Sequence, residues 1–90
     1  MGLLHKLSVA KIARLKEHGR YGDGGGLWLQ VTKWADRSGE IRTAKSWLFK
    51  YTLDGRSREM GLGPIETLGL ADAREKARQA RALLLERIDP

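Results

Sequence analysis

The side chains with the clearest chemical potential in this chain are lysines and arginines, and the chemistry they could do is binding to polyanions. They total 17 against 11 acidic residues, which gives a net charge of +6. The excess is uneven: residues 1–20 hold five bases and one acid, and residues 33–58 hold seven bases and three acids. A basic field of this kind favours nucleic acid as the partner. A basic surface that serves only solubility is the other interpretation, and composition does not separate the two.

Catalytic and metal-binding chemistry lack the residues they need. The chain has no cysteine, which excludes a thiolate nucleophile, a disulfide and a thiolate zinc site. His5 and His18 are too few and too far apart in sequence for a metal motif. Tyr21 and Tyr51 carry nucleophilic hydroxyls, but Tyr51 falls in a row of aromatic side chains that we expect to be buried. We therefore predict that this chain is not an enzyme and uses no cofactor.

A glycine-rich segment, GRYGDGGGLWLQV, could suggest a loop that cradles a phosphate. Such a loop requires a strand before it and a helix after it, with Lys and Ser or Thr at the junction. Here the glycines at 22, 24, 25 and 26 lead into a strand pattern, LWLQVTK. We predict instead that they let the backbone turn sharply and pass close to packed neighbours.

The elements that must position the basic residues begin with a hairpin over residues 45–63. Apolar residues alternate with polar ones from Trp47 to Leu53, which is typical of a strand with one buried face. Asp54-Gly55 is the dipeptide that a two-residue type I′ turn requires. The predicted register sets Leu53 opposite Arg56, Tyr51 opposite Arg58, Phe49 opposite Met60, Trp47 opposite Leu62, and Lys50 opposite Glu59.

A strand before this hairpin completes the predicted sheet. Its apolar residues Leu27, Leu29 and Val31 can share a face with the aromatic row only if the connecting loop has an odd length. Arg37-Ser38-Gly39 is such a loop, with Gly39 in the left-handed conformation of a bulge. The strands are then about 27–35, 41–53 and 56–62, in a three-stranded antiparallel meander. Leu29 pairs with Trp47, and Leu27 pairs with Phe49.

Two helices flank the sheet, which makes the predicted fold α+β. Ser8 is a suitable N-cap for a short helix over residues 8–17. A second helix over 70–87 contains neither Gly nor Pro, and its stripe of small residues suits close packing on a sheet. The stripe consists of Leu70, Ala73, Ala77, Ala80 and Leu84.

The chain has no segment that could span a membrane, because no apolar run approaches the ~18 residues that a span needs. We therefore predict one small cytoplasmic domain over residues 1–90.

Several motifs together resemble one family over nearly the whole chain. They are L-S-x-x-K-I-x-x-L, Y-x-D-G-G-G-L-x-L-Q-V, K-S-W-x-F-K-Y, M-G-L-G and L-A-D-A-R-E-K-A-R…I-D-P. The pattern resembles the N-terminal arm-type DNA-binding domain of phage and genomic-island integrases, which are tyrosine recombinases. The resemblance implies a domain that binds arm-type DNA sites and is followed by core-binding and catalytic domains, which are absent from these 90 residues.

The resemblance also implies which face of the sheet meets DNA. In this family a three-stranded sheet lies in the major groove. The predicted solvent face carries Gln30, which suits adenine, and Lys50, which suits guanine or phosphate. Positions 48, 52 and 59, often basic in the family, are here Leu48, Thr52 and Glu59. The predicted DNA-binding residues are Trp28, Gln30, Arg42, Lys45, Lys50, Thr52, Arg56 and Arg58.

Two functions remain open at this point. The first is a module that binds double-stranded DNA and positions an integrase on its arm sites. The second is a protein-interaction module that contacts a neighbouring integrase subunit or an accessory excision factor through Trp28, Trp34 and Leu48. Salt dependence separates them, because phosphate binding weakens steeply with salt and apolar docking does not.

Overall fold

A computed structural model describes residues 5–90 and shows an α+β fold. Its sheet has four antiparallel strands in the order β1-β2-β3-β4, one more than predicted. The first four residues of the predicted domain lie outside the described part. The elements in chain order are α1 (Val9–Arg14), β1 (Gly19–Gly24), β2 (Leu27–Ala35), β3 (Ile41–Leu53), β4 (Arg56–Pro64) and α2 (Leu70–Leu85).

The additional strand, β1, corrects the prediction of three strands. Tyr21 pairs with Leu29, and Gly22 pairs with Trp28, so β1 extends the sheet beside β2. Its sequence hides this role because glycine and charged residues replace the apolar alternation that marks a strand. The prediction of a sharp turn with close packing is confirmed a few residues later. Gly26 has a φ of +91°, and a Cβ there would lie 2.7 Å from the Phe49 ring.

The registers between β2, β3 and β4 follow the turns that the sequence predicts. Gly39 has a φ of +83°, and the Asp36 N–H donates to the Glu40 carbonyl at 2.9 Å across the three-residue loop. Asp54 and Gly55 both have positive φ, as a type I′ turn requires. The matching pairs are Leu27–Phe49, Leu29–Trp47, Leu53–Arg56, Tyr51–Arg58, Phe49–Met60 and Lys50–Glu59.

One predicted pair in this hairpin is wrong. Trp47 lies opposite Gly63 rather than Leu62, because a bulge between Trp47 and Leu48 shifts the register. A bulge inserts one extra residue in one strand, so period-two counting fails beyond it. Leu62 still packs against the core at its margin.

The helices cover the side of the sheet that carries the aromatic row, which we call the inner face. α1 is shorter than the predicted 8–17, although the Ser8 hydroxyl caps it by accepting from the Lys11 N–H at 3.1 Å. α2 begins at Leu70 as predicted and ends at Leu85. Its small residues Ala73 and Ala77 are fully buried, which lets the helix lie close to the sheet.

The core lies between α2 and the inner face. Trp47, Phe49 and Leu29 are at most 1% exposed, and the Trp47 indole N–H donates to the Leu68 carbonyl at 2.7 Å. The described helices include none that is long and apolar enough to cross a membrane. The core therefore fixes which side chains of the three longer strands point away from α2.

A buried ion pair joins the N-terminal segment to α2. The carboxylate of Asp23, on β1, is nearly inaccessible and accepts two hydrogen bonds from Arg74, at 2.9 and 3.0 Å. It also accepts from the Leu7 N–H at 2.9 Å, while Arg74 donates to the Leu7 carbonyl at 2.8 Å. Burial raises the pKa of Asp23, but these hydrogen bonds and the nearby positive charge of Arg74 together hold the pKa below 3.8.

Candidate nucleic-acid interface

The side of the sheet opposite α2, which we call the outer face, is polar and open to solvent. Side chains alternate across each strand, so residues between the buried ones point outward. Lys50, Thr52 and Glu59 are exposed there, while Gln30 and Trp28 are partly covered by their neighbours. By register the outer face comprises Arg20, Gly22, Trp28, Gln30, Thr32, Ser46, Leu48, Lys50, Thr52, Ser57, Glu59 and Gly61.

A polar cluster spans the outer face from β1 to β4. The Arg20 guanidinium donates to both oxygens of Glu59, at 2.9 and 3.2 Å, and its Nε donates to the Gln30 amide oxygen at 3.2 Å. The hydrogen bonds from Arg20 lower the pKa of Glu59, against a smaller desolvation effect, and the Lys50 charge adds to the lowering. Glu59 is therefore ionised in this cluster at neutral pH.

Beside this cluster, a cation lies over an aromatic ring. The Lys50 ammonium is 4.9 Å from the centre of the Trp28 ring, a cation–π contact. The ring also covers Gly22, where a Cβ would lie 3.4 Å from it. Glycine at this position lets the indole lie across β1, and the indole in turn holds Lys50 near the middle of the outer face.

The predicted DNA-binding residues separate into two groups. Trp28, Gln30, Lys50 and Thr52 come together on the outer face, as the sequence predicts. Lys45 pairs with Val31 on the inner side, and its ammonium donates to the Ile12 carbonyl at 2.6 Å, beside the C-terminus of α1. This geometry gives Lys45 a structural contact, and its predicted role in DNA binding stays a prediction.

Two further predicted residues, Arg56 and Arg58, lie on β4 with side chains on the inner-face side. Arg58 forms an ion pair with Asp89 at 2.9 Å. Asp89 also accepts a hydrogen bond from the Tyr51 hydroxyl at 2.6 Å, which raises the Tyr51 pKa. Arg56 is exposed next to the Asp54-Gly55 turn. Both arginines are at the edge of the sheet, away from the centre of the outer face.

Arg42 lies on a two-stranded arm, residues 32–44, where β2 and β3 extend beyond their neighbours. Its guanidinium pairs with Asp36 at 2.9 Å and with Glu40 at 3.5 Å. Asp36 also accepts from the Ser38 hydroxyl and amide, and these contacts, led by the hydroxyl and then Arg42, lower its pKa to about 2. Arg42 therefore neutralises carboxylates within the arm itself.

Sequence reasoning missed Arg20 as a candidate site residue. It lies on β1, where glycines interrupt the sequence pattern of a strand, and its partner Glu59 is 39 residues away. The available signal was the alternation itself: Tyr21 and Asp23 point inward, so Arg20 and Gly22, which alternate with them, point outward. Recognising it required treating a glycine as an ordinary strand residue.

An open, polar antiparallel sheet face, with both helices on the other side of the sheet, defines a small module of the class that can place a β-sheet against a nucleic-acid groove. The comparison with family models identifies the family: the model for the arm DNA-binding domain matches residues 4–90. The chain therefore belongs to the arm DNA-binding domain family, whose domains are found in phage integrases. Such a domain binds DNA and is not itself catalytic. A search of curated proteins found no match.

Proposed function

We propose that this chain is the module that binds arm-type DNA sites for the tyrosine recombinase of a prophage or genomic island. In this role it positions the recombinase for site-specific integration and excision. The observation that carries the proposal is the outer face, where hydrogen-bonding side chains from all four strands lie on the same side of the sheet. Family membership over residues 4–90 supports the same partner.

Three of the four strands of the outer face together match the width of the major groove of B-DNA. The groove is about 12 Å wide, and adjacent strands are ~4.8 Å apart. Three neighbouring strands therefore fit between the phosphate walls. Gln30 on β2 and Lys50 on β3 stand at the centre of such a contact, where base edges are read. Gln30 can give an amide pair to adenine, and Lys50 can donate to guanine.

The phosphate contacts would come from the margins of the sheet. Arg56 and Arg58 flank the β3–β4 turn, and Arg42 lies on the arm. Arg58 would exchange Asp89 for a phosphate, since a half-exposed ion pair of this kind contributes little stability. Contacts to phosphate fix position and orientation without reading sequence.

Binding to duplex DNA over a range of salt tests the proposal. The duplexes carry the arm repeats of the parent element, and scrambled duplexes serve as the comparison. Gln30→Ala and Lys50→Ala should each cost roughly 1–3 kcal/mol on the repeats and reduce the difference between repeat and scrambled DNA. Arg58→Ala should weaken both duplexes alike and lower the salt slope by about one.

A matched control for these variants is Lys76→Ala, which removes one exposed charge from α2. It should leave the binding of both duplexes almost unchanged. If Lys50→Ala behaves like Lys76→Ala, the outer face is not the contact surface. If the unaltered chain binds repeat and scrambled DNA equally, the proposed site recognition is wrong.

The alternative, a surface for another integrase subunit or an excision factor, is favoured by the arm. Trp34 is 45% exposed and Ile41 57% exposed there. Trp28 and Leu48 are cross-strand neighbours on the outer face, but Gln30 and Thr32 separate them from Trp34 along β2. The arm is therefore the part of the predicted apolar set that suits a protein partner. Complex formation that persists at high salt and is lost in Trp34→Ala would support this alternative.

A further inference from the structure

The Arg20 side chain is held in an unusual position for a surface arginine. It starts on the edge strand β1, reaches across the outer face and meets Glu59 on β4, with Gln30 of β2 as its third partner. The two charged side chains are 40% and 45% exposed, so the pair is open to solvent and to any ligand. The guanidinium is thus fixed over the centre of the face that the proposed function assigns to DNA.

The hydrogen bonds leave a specific part of this guanidinium for a ligand. Arginine has five N–H donors, arranged on an end-on edge (Nη1 and Nη2) and a side-on edge (Nε and one Nη). Glu59 occupies the end-on edge with both oxygens, and Gln30 accepts only from Nε. If the Gln30 amide rotates away, the side-on edge presents two parallel N–H groups while Glu59 still holds the other edge.

Two parallel N–H donors match one base edge in particular. Guanine presents O6 and N7 as a pair of acceptors in the major groove, and a bidentate arginine contact to them is the commonest specific contact. A phosphate is a poorer ligand here, because the ionised Glu59 carboxylate lies beside the guanidinium and repels it. The Gln30 amide, once displaced, can pair with a neighbouring base.

A purely structural role does not account for the arrangement. An exposed arginine–carboxylate pair gives little net stability, because it holds two long side chains in place within a high-dielectric surrounding. α2 carries a comparable pair, in which Arg78 donates to Glu75 at 2.9 and 2.7 Å. That pair joins neighbours three residues apart, whereas Arg20 and Glu59 are 39 residues apart and on opposite edges of the sheet.

We propose that Arg20 is a specificity-determining DNA contact that reads a guanine through its side-on edge, with Glu59 as the positioning residue that orients it. The inference rests on the proposed function and assigns the reading of one base pair within it. Gln30 is then the partner that Arg20 releases on binding. Glu59 contributes to specificity in a second way, because its charge weakens association with DNA that offers no guanine at the right position.

Selection from a library of randomised duplexes, using the 90-residue chain, tests this assignment. Single base-pair changes in the selected site are then measured with each variant. The unaltered chain should prefer a G·C pair at one position, and replacing it should weaken binding about 5- to 150-fold. Arg20→Ala removes the contact and should lose that preference. Arg20→Lys keeps the charge but not the parallel donors, so it should weaken the preference while keeping its salt slope.

The remaining variants test the role of Glu59 in orienting Arg20 and control for the loss of a surface charge. Glu59→Gln should bind scrambled duplexes more tightly and discriminate less at the same position, because the amide is uncharged and keeps only one of the two oxygens that orient the guanidinium. Arg78→Lys and Glu75→Gln make the matching changes in the α2 pair and should alter neither preference nor affinity. Thermal melting of each variant checks that the fold is retained.

The outcomes distinguish this inference from the function on which it rests. If Arg20→Ala retains the preference of the unaltered chain at every position, the assignment to Arg20 is wrong although DNA binding stands. If Arg20→Ala loses preference but Glu59→Gln keeps it in full, the positioning role of Glu59 is wrong. A chain that selects no sequence from the library contradicts both the inference and the proposed function.

Discussion

Two ion pairs of the same chemistry lie in opposite parts of this molecule. Arg74 donates two hydrogen bonds to Asp23 between β1 and α2, and Arg20 donates two to Glu59 across the outer face. The donor–acceptor distances are alike, between 2.9 and 3.2 Å. Their surroundings differ: the Asp23 side chain is 2% exposed and the Glu59 side chain 45%.

This difference in burial separates a structural contact from one that is available to a ligand. Asp23 and Arg74 also satisfy the amide and carbonyl of Leu7, so removing either side chain would leave buried polar groups without partners. Such groups are costly, because water cannot replace the lost hydrogen bond. Around Arg20 the surroundings are open, so a base edge can replace the hydrogen bond to Gln30 when DNA binds while Glu59 still holds the guanidinium.

The largest effect on stability should come from replacing a buried tryptophan, and a tryptophan on the open outer face provides the comparison. Trp47→Ala should lower the free energy of unfolding by roughly 3–5 kcal/mol, because it removes a fully buried aromatic side chain. Trp28→Ala should cost much less, since that ring lies on the outer face over Gly22. Urea unfolding monitored by circular dichroism measures both. Equal losses would contradict the assignment of the two faces.

Breaking the buried ion pair should have the next largest effect. Asp23→Asn keeps an acceptor for the Leu7 N–H but removes the charge that balances Arg74. We expect a loss of about 2–4 kcal/mol, slightly below the range for fully buried pairs because Arg74 is about a quarter exposed. A change too small to measure in urea unfolding would mean that Asp23 and Arg74 are not a structural contact.

The pH dependence of stability should follow the same pair. The pKa of Asp23 is lower in the folded chain than its ordinary value of 3.8, so the unfolded chain binds this proton more readily. The stabilisation is therefore complete above about pH 4 and is lost as pH falls through the lower, folded pKa. Comparing unfolding of the unaltered chain and Asp23→Asn from neutral to acid pH isolates this effect, since the other carboxylates are common to both. A stability difference that stays constant below pH 4 would contradict it.

A smaller effect should come from the turn that decides which side chains share a face. Gly55 has a φ of +76°, and a Cβ there would meet nothing within 4 Å. Gly55→Val should therefore cost only the left-handed backbone penalty, roughly 1–2 kcal/mol. Gly61→Val is the matched control, because its site is equally open and its φ is not in the left-handed region. Equal stability of the two variants would argue against the type I′ turn.

The parts of the fold that the sequence predicts are those with local causes. Asp54-Gly55 and Gly39 set turns, and the turns set the register that brings Gln30, Lys50 and Thr52 onto one face. The buried Asp23 could not be predicted, because carboxylates are normally exposed and its partner Arg74 is 51 residues away. Arg20 was missed for a related reason: its strand lacks apolar alternation, and Glu59 meets it only once four strands have assembled.

The smallest effect on stability is expected where we propose the greatest effect on recognition. Glu59→Gln and Arg20→Ala should leave the thermal unfolding midpoint within the range of the α2 control Glu75→Gln, because solvent replaces the lost hydrogen bonds in all three. Both outer-face variants should still change the base preference of the domain. Thermal melting gives the unfolding midpoint, and binding to the selected duplex gives the base preference. Both are measured on the same preparations. A loss of stability in Glu59→Gln comparable to that in Asp23→Asn would make the outer pair a second structural contact. An unchanged midpoint with altered base preference would instead establish that the outer pair serves recognition, whereas the buried pair of Asp23 and Arg74 serves stability.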